Sequence, residues 1–255
     1  MMADASFLTF VSQGTETDFS GWDFSYITKT GRMVEAPLPW SYGSRVVDLM
    51  SKSNTLLDMG TGGGEFLASL KPLPATVHAT EGYAPNIDVA RKTLEPLGVR
   101  VAVLENEDRL PYEDGTFDLI LNRHEYYHPE DVMRLLKPGG VFLTQQVGGE
   151  DNKKFHTLLG APEKHTFDDW HLANARKQLH GVGFSIEKAE EAMVNQRFYD
   201  VGAIIYYLKA VAFEIPDFSV ERYREGLEAI HSSINANGFI DIPSHRFLLQ
   251  ARKPI

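Results

Sequence analysis

The sequence predicts an α/β fold whose β-sheet is largely parallel. Short apolar segments alternate with helix-like segments through the middle of the chain, and glycine or proline residues punctuate the alternation. Connections between parallel strands are right-handed, so helices are expected on both faces of the sheet.

Each predicted element follows from a local pattern. The predicted strands are apolar runs at 55–59, 75–80, 99–104, 117–121, 141–147, 184–188 and 247–251. The predicted helices occupy 43–51, 65–70, 85–97, 130–136, 167–180, 200–213 and 220–237. Pro85 suits the first turn of the helix at 85–97, and Gly181 ends the helix at 167–180.

The alternation predicts one domain over all 255 residues. Its core comprises residues 43–188 and 243–255. Residues 1–42 are aromatic-rich and form an expected N-terminal cap, and residues 190–242 form an expected helical insert before the last strand. Both additions are expected to cover the open edge of the domain.

Composition narrows the functional classes. The chain is 43% hydrophobic and 24% charged, which is typical of soluble globular proteins. Its formal net charge of −10 disfavours nucleic acid and anionic lipid as partners. Cysteine is absent, which excludes disulfides and cysteine nucleophiles. The N-terminus has no signal-peptide pattern, and the longest apolar stretch, 201–213, is too short for a bilayer, so we expect a cytoplasmic protein. No pattern indicates the oligomeric state.

A glycine-rich loop between a strand and a helix is the strongest functional signal. Residues 56–66 read Leu-Leu-Asp-Met-Gly-Thr-Gly-Gly-Gly-Glu-Phe. Glycine permits positive φ and lets a ligand touch the backbone. The following helix start presents N–H groups that suit a carboxylate or a phosphate. The pattern indicates a ligand site, with a ligand-free turn as the alternative.

The spacing of the glycines separates two kinds of cofactor site. A nicotinamide or flavin site has G-x-G-x-x-G, but when the pattern starts at Gly60 its third glycine position, 65, holds Glu65. The pattern present is D-x-G-x-G-x-G, beginning at Asp58. Glu81 ends the next strand, where an acidic residue about 20 positions after the loop can bind adenosine ribose hydroxyls. Both cofactor classes use that device, so Glu81 indicates adenosine without choosing between them. The alternative for Glu81 is that it is only a solvated residue at the end of its strand.

Four motifs in order resemble the class I S-adenosylmethionine (SAM) dependent methyltransferases, most closely the methyltransferase type 11 branch. They are the glycine loop, Glu81, the stretch LENEDRLPYEDGTFDLI at 104–120 and the turn LKPGGVF at 136–142. Asn106 stands where the family usually has Asp, and its carbonyl oxygen can accept the same hydrogen bond. The resemblance covers residues 43–188 and the last strand.

The resemblance implies a Rossmann-like sheet of seven strands whose last strand is antiparallel, with SAM across the carboxyl ends of the first strands. The cofactor-binding residues that it implies are Asp58, Gly60, Thr61, Gly62, Gly64, Glu81, Gly82, Asn106, Glu107 and Asn122. The glycines would admit the methionine part, and Asp58 would hold its ammonium. Glu81 would bind the ribose, and Asn106 and Glu107 would border the adenine. Asn122 would face the transferred methyl and the methionine portion of SAM.

Residues 124–128 read His-Glu-Tyr-Tyr-His, the H-E-x-x-H pattern of zinc proteases. That site needs both histidines on one helical face, but this segment directly follows a strand and precedes Pro129. We therefore expect no metal. As the loop after the fourth strand, the segment would border the acceptor, where His124, Tyr127 or His128 would polarise or deprotonate it. A packed aromatic loop is the alternative.

Aromatic residues supply candidate acceptor contacts. Trp40 and Tyr42 precede the first core helix, and Tyr126 lies in the loop just described. The N-terminal stretch would form a lid that excludes water, or else pack as an ordinary arm. The acidic charge and the enclosing segments favour a small-molecule acceptor. The alternatives are a ribosomal or transfer RNA methyltransferase and a SAM-binding protein without catalysis.

Overall fold

A computed structural model describes residues 5–19, 22–104, 109–163 and 165–255 of the protein. The helices are α1 (Ala5–Glu16), α2 (Ser25–Thr28), α3 (Tyr42–Met50), α4 (Glu65–Ser69), α5 (Ala84–Leu94), α6 (Pro129–Leu135), α7 (Lys153–Leu159), α8 (Leu172–Gly181), α9 (Val201–Ala210) and α10 (Arg224–Asn237). The strands are β1 (Met33–Glu35), β2 (Thr55–Met59), β3 (Thr76–Glu81), β4 (Arg100–Val103), β5 (Phe117–Arg123), β6 (Leu136–Val147), β7 (Ser185–Phe198) and β8 (Ile240–Arg252).

The described strands form one mixed sheet in the order β1-β7-β8-β6-β5-β2-β3-β4. Strands β2 to β6 pair in parallel with their neighbours, whereas β8 runs antiparallel to β6, with Val141 opposite Arg252 and Val147 opposite Arg246. The Rossmann-like α/β class and the antiparallel last strand are therefore confirmed.

The sheet has eight strands where seven were predicted. The eighth is β1, which pairs antiparallel with the end of β7, Met33 opposite Phe198 and Glu35 opposite Gln196. The prediction ended β7 at residue 188, because the charged residues that follow are typical of a solvated surface. In the structure the strand continues to Phe198, with mostly exposed or half-buried side chains along it.

Two helices begin later than predicted. α8 begins at Leu172 rather than at residue 167. The Asp168 carboxylate forms an ion pair with Lys153 Nζ at 2.8 Å and lies 2.7 Å from His165 Nδ1, and these contacts hold the preceding residues in a turn. α10 begins at Arg224 rather than at residue 220. α1 was not predicted at all.

The helix α9 lies in the longest apolar stretch of the sequence. It begins where the Asp200 carboxylate accepts from the Ala203 backbone N–H at 2.8 Å, and its first eight residues are all buried. Within the described ranges, no helix combines the length and the apolar character needed to cross a membrane.

The chain divides into two compact units. Unit 1 comprises Met1–Leu38, Gly149–Asp168 and Met193–His245, and unit 2 comprises Pro39–Gly148, Asp169–Ala192 and Arg246–Ile255. In unit 1, α1 packs on α9 and both belong to one apolar core. In unit 2, a second apolar core includes β2, β5, β6 and α8. The organisation as one domain with a cap and an insert stays a prediction.

Candidate active site

The loop between β2 and α4 has left-handed backbone at three glycines. The φ values are 62° at Gly60, 63° at Gly62 and 82° at Gly64, where L residues with side chains are strained. A Cβ placed on Gly64 would lie 2.6 Å from Leu94 Cγ in α5, whereas one on Gly62 would meet no heavy atom within 4 Å. Gly64 therefore permits close packing of α5, and Gly62 leaves the backbone open to a ligand.

Hydrogen bonds hold this loop on the ends of β2 and β3. The Thr61 backbone N–H donates to Thr80 O at 2.9 Å, and the Gly60 N–H donates to Thr80 Oγ1 at 3.3 Å. The Thr61 hydroxyl donates to Asp58 Oδ2 at 2.8 Å, which ties the side chain of the loop to the strand before it. The loop is therefore fixed without any ligand.

The Asp58 carboxyl is buried at the end of β2. Its pKa is raised from 3.8 to about 6, because burial and, to a smaller extent, the charge of Glu81 outweigh the Thr61 hydroxyl and the Arg123 charge, which lower it. A cation bound beside a buried carboxyl stabilises its charged form. Asp58 is thus suited to an ammonium group.

Glu81 ends β3 one strand away, where β2 and β3 pair in parallel. Its side chain is buried, and Oε1 accepts from the Tyr83 backbone N–H at 2.7 Å. Gly82 follows, and a Cβ there would lie 3.5 Å from Leu104 O. The remaining predicted cofactor residues, Asn106 and Glu107, lie outside the described residues.

Asn122 lies in β5, opposite Met59 of β2 on one side and Thr144 of β6 on the other. It is fully buried, and its Oδ1 accepts from Thr144 Oγ1 at 2.8 Å and from Gln146 Nε2 at 2.6 Å. Its Nδ2 is buried without a hydrogen-bond partner. An unpaired buried donor costs about 1–3 kcal/mol, so a ligand that accepts from this amide would be stabilised.

Glu125 connects the segment after β5 to the glycine loop. A Cβ placed on Gly60 would lie 2.5 Å from Glu125 Cγ, so this side chain lies directly against the loop. Sequence reasoning considered Glu125 only as part of a zinc motif. Its place directly after the predicted fourth strand was the signal that could have found it.

Predicted acceptor residues meet at the ends of β5 and β6. Trp40 Nε1 donates to Gln145 Oε1 at 2.9 Å, and Gln145 Nε2 lies 3.2 Å from His124 Nε2. The Tyr42 hydroxyl donates to Asn122 O at 3.3 Å, and burial raises the pKa of that hydroxyl. Sequence reasoning missed Gln145, which joins two of these residues.

The other aromatic candidates divide between core and surface. Tyr127 is 4% exposed, its ring centroid lies 5.0 Å from that of Phe142 in the apolar core, and burial raises the pKa of its hydroxyl. Tyr126 is exposed, and its hydroxyl lies 3.3 Å from His128 Nδ1. The structure therefore separates Tyr127 from His124, although a catalytic role for either stays a prediction.

The helix of a zinc protease is absent at the H-E-x-x-H sequence. His124 has a φ of 63°, and α6 begins at Pro129, after both histidines. Among the residues that the structure describes, no group of three or more potential ligand side chains is arranged to hold a metal ion.

Comparison with known proteins identifies the sequence class. Residues 57–144 match the family model described as a methyltransferase domain. This stretch of the chain is therefore similar to class I SAM-dependent methyltransferases. S-adenosylmethionine is the cofactor of this fold, and the loop glycines, Asp58 and the unpaired amide of Asn122 are chemically suited to its amino-acid part.

Curated relatives match this chain over only part of their length. A protein-L-isoaspartate O-methyltransferase from Cellvibrio japonicus is 33% identical over 128 residues, which are 44% of this chain and 57% of the relative. A ubiquinone biosynthesis O-methyltransferase from Chelativorans sp. is 31% identical over 100 residues, 36% of this chain and 40% of the relative. The chain thus spans about half the length of these relatives.

A solved structure shares the fold of this chain. The crystal structure of a suggested methyltransferase from Bacillus halodurans matches with a TM-score of 0.59 at 18% identity. The match covers 84% of this chain and 97% of that protein.

Proposed function

We propose that this protein is a methyltransferase that transfers the methyl group of SAM to an oxygen, nitrogen or carbon nucleophile of a small-molecule acceptor. The observation that carries the proposal is the left-handed glycine loop, which leaves Gly62 open. The loop lies beside β5, where the buried Asn122 amide lacks an acceptor. An amino-acid ligand supplies a hydrogen-bond acceptor for the Asn122 amide and polar groups that can contact the open backbone at Gly62.

Each binding group has a specific task in this proposal. The N–H groups of Gly62 and Gly63 and the Asn122 amide would hold the amino-acid end of the cofactor, and Asp58 would face its ammonium. Glu81 would accept from the ribose hydroxyls. SAM supplies a methyl group on a sulfonium whose departure needs little activation. The chain therefore has to position the acceptor and exclude water.

Two observations favour a small acceptor over a nucleic acid. The net charge of −10 opposes approach of a polyanion. The aromatic residues Trp40 and Tyr42 are buried and hydrogen-bonded to the strand ends that carry the site. The curated relatives are named for both protein and small-molecule methylation, so the acceptor class has to be tested directly.

Calorimetry tests the cofactor part. We expect the protein to bind S-adenosylhomocysteine and to ignore NAD. Glu81→Ala should weaken that binding by at least about tenfold, the equivalent of about 1.4 kcal/mol. Glu221→Ala, at an exposed position in unit 1, is the matched control and should leave it unchanged. Unchanged affinity in Glu81→Ala contradicts the assigned site.

Radioactive methyl transfer tests the acceptor part. Small phenols, carboxylates and amines are compared with ribosomal RNA, transfer RNA and an isoaspartyl peptide, each with labelled SAM. Label in the small molecules supports the proposal. Label confined to RNA or to the peptide overturns the small-molecule acceptor, and cofactor binding without label in any acceptor indicates a non-catalytic binding protein.

A further inference from the structure

The hydrogen bonds among Trp40, Gln145 and His124 have only one consistent proton arrangement. An indole N–H can only donate, so the Gln145 atom 2.9 Å from Trp40 Nε1 must be the amide oxygen. The amide nitrogen of Gln145 therefore faces His124 Nε2 at 3.2 Å. Because that nitrogen can only donate, Nε2 of a neutral His124 accepts and its proton resides on Nδ1.

The backbone conformation of His124 fixes the position from which its side chain extends. His124 has a φ of 63°, in the left-handed region that few residues other than glycine adopt and in which asparagine, aspartate and histidine are enriched. Its backbone N–H donates to Gln145 O at 2.8 Å, so Gln145 holds both the main chain and the ring of His124. Among the described residues, Nδ1 has no hydrogen-bond partner, and the residue is exposed. An N–H donor is therefore available to a bound molecule.

The charges around the ring favour the neutral imidazole. Desolvation, together with the positive charges of Arg246 in β8 and Arg123 in β5, lowers the pKa of His124 to about 3. The same two cations attract an anion to the neighbourhood of the ring. Glu125, the next residue, lies against Gly60 of the cofactor loop, so the donor is close to the proposed site of methyl transfer.

We infer that His124 is a neutral hydrogen-bond donor to an anionic oxygen of the acceptor, that Gln145 is its positioning residue, and that the acceptor class is ionised hydroxyl compounds such as phenolates and enolates. This inference rests on the proposed methyl transfer and names its substrate class. His124 is then not the base that the sequence suggested, because Nε2 is occupied and Nδ1 already carries a proton.

The group transfer balances without a protein base. The hydroxyl proton of the acceptor leaves to water before the transfer, and the resulting oxygen anion accepts from His124 Nδ1–H. An oxygen lone pair forms the new C–O bond as the S–CH₃ bond breaks, and the bonding pair stays on sulfur. The products are a methyl ether and S-adenosylhomocysteine, with no net oxidation or reduction.

The tautomer is measured by NMR on ¹⁵N-histidine-labelled protein without ligands. The His124 signals are assigned among the nine histidines by their absence in His124→Asn. We expect a neutral ring with its proton on Nδ1 from pH 5 to 9. Gln145→Leu should shift the proton toward Nε2, and Gln178→Leu, an exposed glutamine of α8, should not. A wild-type proton on Nε2, or a charged ring at pH 6, overturns the inference.

Turnover of acceptors separates a donor from a base. Asparagine tolerates positive φ and presents an amide N–H near the place of Nδ1–H. We therefore expect His124→Asn to keep kcat/KM within about tenfold of wild type and His124→Ala to lose about 100-fold, a typical minimum for a lost catalytic group. Equal, large losses in both variants contradict the donor role.

The pH profile then identifies the acceptor. Across phenols of graded acidity, the acidic limb of kcat/KM should follow the pKa of each phenol, and Gln145→Leu should lower kcat/KM without moving that limb. A limb that stays fixed for every phenol, or transfer to amines alone, overturns this inference and leaves the methyltransferase proposal intact. Cofactor binding with no methylated acceptor overturns both.

Discussion

Replacing Gly64 by alanine should destabilise the protein through two separable effects. The φ of 82° is left-handed, which costs an alanine about 1–2 kcal/mol. The added Cβ would lie 2.6 Å from Leu94 Cγ and 2.8 Å from Leu94 Cδ1, and such overpacking costs about 1–3 kcal/mol. We expect the free energy of unfolding to fall by about 2–5 kcal/mol.

Gly98 supplies a matched control for the backbone strain. Its φ is 81°, and a Cβ there would meet no heavy atom within 4 Å. Gly98→Ala should therefore cost only the strain, about 1–2 kcal/mol. The difference between the two variants then measures the contact with Leu94.

Urea unfolding, followed by tryptophan fluorescence and by circular dichroism, measures both variants. Equal losses in Gly64→Ala and Gly98→Ala would refute the packing argument, since only the Cβ of the Gly64 variant would contact Leu94 of α5. Gly62→Ala extends the comparison, because its φ is 63° and its surroundings are open. It should resemble Gly98→Ala in stability yet bind S-adenosylhomocysteine at least about tenfold more weakly, about 1.4 kcal/mol.

Substitutions at three further positions test other parts of the structure. Asp58→Asn should raise the free energy of unfolding of the ligand-free protein at pH 7.5 by about 3 kcal/mol, from a shift of 3.8 to about 6 at 1.36 kcal/mol per unit. The pKa of Asp58 is higher in the folded than in the unfolded protein, so the free energy of unfolding of the wild type should fall as pH rises from about 4 to 6. That of Asp58→Asn should not fall, and urea unfolding at each pH measures both. Asp200→Ala should cost about 3–5 kcal/mol in chemical denaturation, because it leaves the largely buried Arg32 guanidinium without its carboxylate, and Asp200→Asn should cost less since it keeps the helix cap. Gly14→Ala should lower the thermal midpoint, since its Cβ would lie 2.5 Å from Gly202 O. A rise would contradict this, because it would mean that the helix preference of alanine over glycine, worth about 1 kcal/mol, exceeds the cost of the clash between α1 and α9.

The parallel part of the sheet could be predicted because its strands are buried and short. The apolar run at residues 55–59 and the one at 117–121 have few alternatives to a buried strand. β7 could not be predicted in full. Its charged residues carry no burial signal, and β1, only three residues long, becomes a strand by pairing with it. Where long-range pairing supplies the stability, local pattern is insufficient.

The glycine loop could be located from sequence because glycine at a left-handed position is a local requirement. The resemblance to a known family indicated which ligand the loop binds, whereas no sequence pattern indicated the role of Gln145. Gln145 lies in an apolar strand, and its hydrogen bonds join residues 105 positions before it and 21 positions before it. Side-chain networks of this kind depend on strand register, which the sequence does not reveal at single-residue precision.

The indole of Trp40 gives the protein an intrinsic optical probe. Its N–H is held by Gln145, and the ring is 8% exposed. The other two tryptophans, Trp22 and Trp170, are separate from this hydrogen bond. In a variant with phenylalanine at both of those positions, the emission wavelength and quantum yield would report on one known environment. Ligand titrations could then be followed by light alone, at nanomolar protein and without a labelled compound.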